Sequence, residues 1–99
     1  MILIIGTVRL PPENLLAARA DMLAMIGASR AEKGCLEYCY AADVLEPGLN
    51  HVKEIWTSSE ALRDHFAAPH LSVWRAAWAT LQIHDRKLVS YEIRDPEPV

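Results

Sequence analysis

The residues best suited to chemistry cluster in one stretch of the chain, Glu54-Ile55-Trp56 followed by Ser59, His65, Pro69 and His70. A histidine titrates near neutrality, so His65 is a candidate base or proton relay, and Glu54 can orient it or hydrogen-bond a ligand hydroxyl. In an extended segment side chains alternate with a period of two. That places Val52, Glu54 and Trp56 on one face and His51, Lys53 and Ile55 on the other. A carboxylate sharing a face with a tryptophan is the unusual feature. The preceding segment alternates Leu36, Tyr38 and Tyr40 with Cys35, Glu37 and Cys39. If Tyr38, Val52, Glu54 and Trp56 face the helices, the space between has aromatic walls and a few polar groups, as small-molecule pockets do. His65 and His70 stand five apart with Pro69 between them, so they cannot form the i, i+4 histidine pair of a zinc-binding helix. No metal ligand set and no cofactor site are read from the spacing.

The same residues also have structural readings. His65 can close a helix C-terminus through a backbone hydrogen bond, and His70 can stabilise the turn at Pro69. Glu54 can be a structural carboxylate, since a buried charge is normally paired. Trp74 and Trp78, spaced along a helix, can be core or interface packing.

The elements that must position these side chains follow from periodicity. Ile2 to Leu10 is apolar and β-branched and stops at Pro11-Pro12, a first strand. From Glu13 to Lys33 the spacing turns helical, with Leu15, Ala18, Met22 and Met25 in one row, Leu16, Ala20, Leu23 and Ile26 beside it, and Gly34 as the stop. Two adjacent rows predict a broad apolar stripe lying on a sheet. Cys35 to Asp43 and Asn50 to Thr57 read as strands joined by turn chemistry at Glu46-Pro47-Gly48. Thr57 and Glu60 have capping-box spacing for a helix reaching about Ala67, and Pro69 restarts a helix carrying Leu71, Trp74, Trp78 and Leu81. Arg86 to Arg94 is the last strand, and residues 95–99 are read as a flexible tail of a single domain covering 1–99. The order β-α-β-β-α-β is the α+β, ferredoxin-like arrangement, whose helices cover one sheet face and leave the other bare.

The first strand is apolar on both faces, with Leu3 and Ile5 opposing Ile2, Ile4, Val8 and Leu10. A sheet with one face in water alternates polar and apolar residues, so the second face is expected to meet another subunit. Composition agrees: 52% hydrophobic residues is a high fraction for 99 positions, and small domains have little interior in which to hide them. The formal net charge of −3, without a basic cluster, argues against nucleic-acid or anionic-membrane partners. No apolar stretch approaches the roughly 20 residues that span a bilayer. The apolar start, Met1 to Ile5, lacks a basic region and a cleavage site, so a cytoplasmic setting is expected. Cys35 and Cys39 lie four apart in a strand and are expected on one face roughly 13 Å apart, too far for a disulfide.

The residues Gly34-Cys35-Leu36-x-Tyr38, Glu54-x-Trp56 and Ser59-x-Ala61-Leu62-x-x-His65-x-x-x-Pro69-His70, taken with the element order, resemble the antibiotic biosynthesis monooxygenase family of dimeric α+β barrels, which includes quinol monooxygenase-like proteins. The resemblance covers nearly the whole chain. It implies a homodimer with cavities between each subunit's sheet and helices. In catalytic members it implies oxygenation of a small phenolic or quinol-like aromatic substrate without metal or organic cofactor. On that reading His65 and Glu54 are catalytic, and Trp56, Tyr38, Trp74 and His70 bind substrate. The alternative is a non-catalytic dimeric binding or stress-response module. Aromatic-polyketide oxygenases of the family carry an amide where Val52 stands, and haem-degrading relatives carry asparagine and histidine where Val8 and Arg75 stand, so haem degradation is disfavoured.

Overall fold

The computed structural model describes all residues, Met1–Val99. Its elements are β1 (Ile2–Arg9), a 3-10 turn (Pro12–Asn14), α1 (Leu15–Arg30), β2 (Cys35–Ala42), β3 (Leu49–Trp56), α2 (Ser59–Phe66), α3 (Pro69–Leu81) and β4 (His84–Glu92). The strands form one sheet in the order β2-β3-β1-β4, with every neighbouring pair antiparallel. This is the expected α+β, ferredoxin-like arrangement. No helix is long and apolar enough to cross a membrane.

Register explains why the site residues share a face. Ile4 of β1 lies opposite Glu54 of β3, and Glu54 lies opposite Tyr38 of β2, so one row across the sheet presents an aliphatic, an acidic and a phenolic side chain to the helices. Ile4, Tyr38, Val52, Glu54 and Trp56 are all buried, and Ile4, Tyr38 and Trp56 form one cluster with Met22 and Met25 of α1 and Leu71 and Trp74 of α3. The opposite face is uncovered, and Ile5, Val89 and Tyr91 stand exposed on it.

Several expectations are corrected. Leu36 is the extra residue of a β-bulge: Cys35 pairs with Trp56, but Glu37 pairs with Ile55. The alternation slips by one, as bulges make it do. Cys35 therefore packs against the core on the side of Tyr38, while Leu36 is exposed and Cys39 lies opposite Lys53 on the other face. The two cysteines are free thiols on opposite faces rather than neighbours on one. On α1 the buried apolar residues are Ala18, Met22 and Met25 of the first row, whose Leu15 is exposed; in the second row Leu16 is 82% exposed and Leu23 is also in solvent, and only Ile26 packs against the core. The helix cap sits one residue later than the capping-box reading, because Ser58 Oγ accepts from the Ala61 amide at 3.1 Å. The last strand starts two residues earlier than expected, at His84.

The turn from α1 into β2 carries a residue that matters below. Gly34 adopts φ +90°, which a residue with a Cβ takes up only under strain, and a Cβ there would sit 2.6 Å from Ala61 Cβ. The glycine lets the Ala31–Gly34 turn approach α2 closely, and the Gly34 carbonyl accepts from the Thr57 amide at 2.9 Å.

Candidate active site

His65 lies in the last turn of α2 and is 2% exposed. Its ring is held between aromatic neighbours, with the Trp56 centroid at 4.6 Å and the Tyr38 centroid at 5.3 Å. The Nδ1 atom lies 2.6 Å from Glu32 Oε2, a residue of the α1–β2 turn. A carboxylate only accepts, so Nδ1 carries the hydrogen in this pair, and in the neutral ring the lone pair is then on Nε2. Nε2 is 4.0 Å from Glu54 Oε1. The imidazole is thus bracketed by two carboxylates from different parts of the chain.

Glu54 has a different immediate partner: its Oε1 accepts the indole N–H of Trp56 at 2.9 Å. The partner is a side chain on the same face of the same strand. Burial pushes the Glu54 carboxyl above its ordinary range, against the opposing pull of the Trp56 hydrogen bond and the nearby His65. Burial also raises the phenols of Tyr38 and Tyr40, which keeps both protonated at neutral pH. They serve as walls and as hydrogen-bonding groups, not as bases.

Between the sheet and the helices lies a cavity of about 10 Å³ bordered by Tyr38, Tyr40, Glu54, His65, Trp74 and Trp78. That is room for about one water and far below the roughly 300 Å³ of a ligand-filled pocket. Phe66, Arg75 and Arg86 complete the lining from the solvent side, Phe66 being 40% exposed with the Arg75 guanidinium 5.8 Å from its ring centroid. The indole N–H groups of Trp74 and Trp78 are buried and have no acceptor. Such donors are rare in protein interiors because each forgoes a hydrogen bond it had in water.

Of the residues singled out from sequence, His65, Glu54, Tyr38 and Trp74 border the cavity. Trp56 is fully buried behind His65 and does not border it. His70, at the start of α3, faces Glu32 instead, with Nε2 3.4 Å from Glu32 Oε2. The residue that sequence reasoning missed is Glu32. It stands 33 positions from its partner His65 in a turn with no periodicity. Its one trace in the sequence is its place two residues before Gly34, whose conformation brings that turn against α2. Glu32, His65 and His70 are the group that can hold a metal ion, their ligand atoms all lying within 4.8 Å of one another.

The family model for antibiotic biosynthesis monooxygenases matches residues 1–77, which include each of these residues except Trp78, Arg86 and the rest of the C-terminal segment. The chain belongs to that family. Among solved structures it is similar to a candidate antibiotic biosynthesis monooxygenase of Deinococcus radiodurans, at 27% identity over 100% of this chain and 98% of that one, with a TM-score of 0.91. It is also similar to the Mycobacterium tuberculosis protein Rv0793, at 28% identity over 98% of both chains and a TM-score of 0.80. A candidate family member from Nitrosomonas europaea, at 17% identity, 93% and 97% coverage and a TM-score of 0.81, shares the fold. No curated protein matches the sequence significantly. The family assignment and the site meet in the same place, since the matched residues build β1, β2 and β3, the α1–β2 turn, α2 and most of α3 around His65.

Proposed function

We propose that the protein is a cofactor-independent monooxygenase that oxidises a small phenolic or quinol-like aromatic with molecular oxygen. The observation that carries this reading is the state of His65, a buried imidazole whose Nδ1 is committed to Glu32 while its Nε2 is free beside the cavity. Triplet oxygen reacts slowly with closed-shell molecules, but a phenolate can give it one electron. The enzyme therefore needs a base, a water-poor cavity and donors for the charge that develops. His65 Nε2 takes the phenolic proton. One-electron transfer from the phenolate to oxygen, followed by radical recombination, forms a carbon–oxygen bond at a ring carbon bearing hydrogen. Loss of that hydrogen as a proton, with cleavage of the O–O bond, leaves a carbonyl, and His65 returns its proton to the departing hydroxide as water. Oxygen is reduced and the aromatic oxidised, one oxygen atom going to each product. On this reading the unpartnered indole N–H groups of Trp74 and Trp78 donate to oxygen atoms of the substrate, which their lack of an acceptor beside the cavity supports.

A substrate ring does not fit in about 10 Å³, so binding on this reading needs the exposed Phe66 and Arg75 to move aside. The same small volume favours the second reading, a non-catalytic module whose interior is filled by side chains. Oxygen uptake by chelator-treated protein against a panel of hydroquinones and naphthols separates them. The monooxygenase reading expects uptake that His65→Ala abolishes. Absence of uptake with every compound, together with no ligand-induced change in Trp fluorescence, supports the closed module.

The exposed Ile5, Val89 and Tyr91 support a homodimer whose bare sheet faces pack together. Sedimentation equilibrium at micromolar concentration should return the mass of two chains, and the mass of one would remove this part of the proposal. The expected cytoplasmic setting belongs to the proposal as well, and fits the two free thiols.

A further inference from the structure

We infer that Glu32, His65 and His70 form a binding site for a single divalent transition-metal ion, with Zn²⁺ as the best-matched ion. The inference is independent of the proposed oxygenation.

Two observations carry it. The first is composition and geometry: two imidazoles and one carboxylate offer Nδ1, Nε2 and Oε2 within 4.8 Å of one another, with separations of 2.6 Å for His65–Glu32 and 3.4 Å for His70–Glu32. In a tetrahedral zinc site with bonds of about 2.0–2.1 Å the donor atoms lie about 3.3 Å apart, so the His70–Glu32 separation already fits, while the His65–Glu32 contact has to open and the two imidazole nitrogens, within 4.8 Å, have room to close on an ion. The second is an unmet demand. His70 Nε2 is buried and has no hydrogen-bond partner, although it sits beside a carboxylate oxygen already engaged by His65. One carboxylate oxygen is shared between two histidines, and a cation between them would satisfy all three groups.

Spacing alone hid this site, because His65 and His70 belong to different helices. The break at Ala67-Ala68 folds α3 back so that the two rings lie 6.0 Å apart, and the α1–β2 turn supplies the third ligand. Partial exposure of the Glu32 and His70 side chains, 17% and 22%, leaves the ion a path from solvent and room for a water as fourth ligand. Occupancy would put the metal on His65 Nδ1 and the hydrogen on Nε2, removing the free lone pair. A bound ion is therefore expected to silence any chemistry that uses Nε2 as a base.

The test is titration of chelator-treated, full-length protein with ZnCl₂ in competition with a chromophoric zinc indicator. Long-range ¹H–¹⁵N spectra of the histidine rings and the visible spectrum of the Co²⁺ form accompany it. The expected result is one equivalent per chain, with the ¹⁵N changes falling on His65 Nδ1 and His70 Nε2. Affinity should drop by about tenfold or more in His70→Ala and in Glu32→Gln. His51→Ala removes the exposed His51–Asp43 pair and should leave affinity unchanged. His70 is half-buried at a helix start, so its replacement leaves the fold intact, which circular dichroism checks. No saturable binding, binding that persists in both His70→Ala and Glu32→Gln, or loss confined to His51→Ala would each overturn the inference. The triad would then be a hydrogen-bonded cluster only. Because these readouts do not involve oxygen uptake, failure here leaves the monooxygenase reading standing, and the reverse also holds.

Discussion

Two histidine–carboxylate pairs in this chain have nearly the same length and very different surroundings. His65 meets Glu32 at 2.6 Å with the imidazole 2% exposed, and His51 meets Asp43 at 2.8 Å with its side chain 53% exposed. Distance does not separate them; dielectric does. Around His65 the ring faces of Trp56 and Tyr38 exclude water, so the carboxylate's charge is felt in full and the tautomer is fixed. Around His51 water and salt screen the same contact, and such pairs are worth little. The contrast teaches that a histidine–carboxylate contact gains its weight here from burial on the helix side of the sheet rather than from having a carboxylate at hand.

The sharpest way to break that contrast is to remove the buried ring. His65→Ala leaves Glu32 without its main partner and opens a hole between Trp56 and Tyr38. Stability should fall by about 3 kcal/mol in urea unfolding. On the proposed function, any oxygen uptake should fall by at least about 10²-fold. His51→Ala, the matching change on the surface, should leave both unchanged. Equal effects from the two would mean that burial is not what sets them apart.

Glu32→Gln is gentler, because the amide oxygen still accepts from Nδ1 and only the charge is lost. A cost of about 1–2 kcal/mol is expected, the difference between a charge-assisted and a neutral hydrogen bond. The buried pair should also keep its contribution in high salt, which unfolding with and without added NaCl would show. A strongly salt-dependent effect would place His65 in the same electrostatic class as His51.

Glu54 gives a comparison inside the buried site. Glu54→Ala orphans the Trp56 indole N–H and should cost about 1–3 kcal/mol, while Glu54→Gln keeps an acceptor at the same place and should cost less. If both variants are equally destabilised, the carboxylate is held by something other than the indole.

How much of this was legible in the sequence depends on whether the determinants were periodic. The faces of β1 and β3 follow from alternation, and Val52, Glu54 and Trp56 are buried as that alternation expects. β2 misled at its start, because a single bulge at Leu36 reverses the face of Cys35 and nothing local in Cys35-Leu36-Glu37 announces it. On α1 the second apolar row looked core-forming because helical spacing says which residues share a face, not how wide a stripe the sheet will cover. His65 was singled out by its type and by the family motif in which it stands. Glu32 was not found, since its pairing is set by the Ala31–Gly34 turn and by the packing of that turn on α2, a contact between distant segments that no spacing encodes.

The smallest expected effect closes the comparison from the surface side. Asp43 is held by three groups: His51 Nε2 on one oxygen, and the Leu45 and Glu46 amides, at 3.0 and 2.9 Å, on the other. The His51 contact first, and the two amides after it, keep the Asp43 carboxyl below its ordinary value of 3.8. A carboxylate whose pKa is lowered on folding stabilises the fold above its unfolded pKa and ceases to do so as the pH falls through the folded one. Any contribution from Asp43 is therefore present at neutral pH and fades below about pH 4. Asp43→Asn should shift the urea midpoint slightly at pH 6, less at high salt, and progressively less as the pH falls below about 4. A midpoint difference that does not shrink with falling pH would show that the Asp43 side chain acts through its turn hydrogen bonds to Leu45 and Glu46 rather than through charge. The exposed pair would then owe its place to local backbone geometry, and the contrast with His65 would become one of covalent neighbourhood as well as burial.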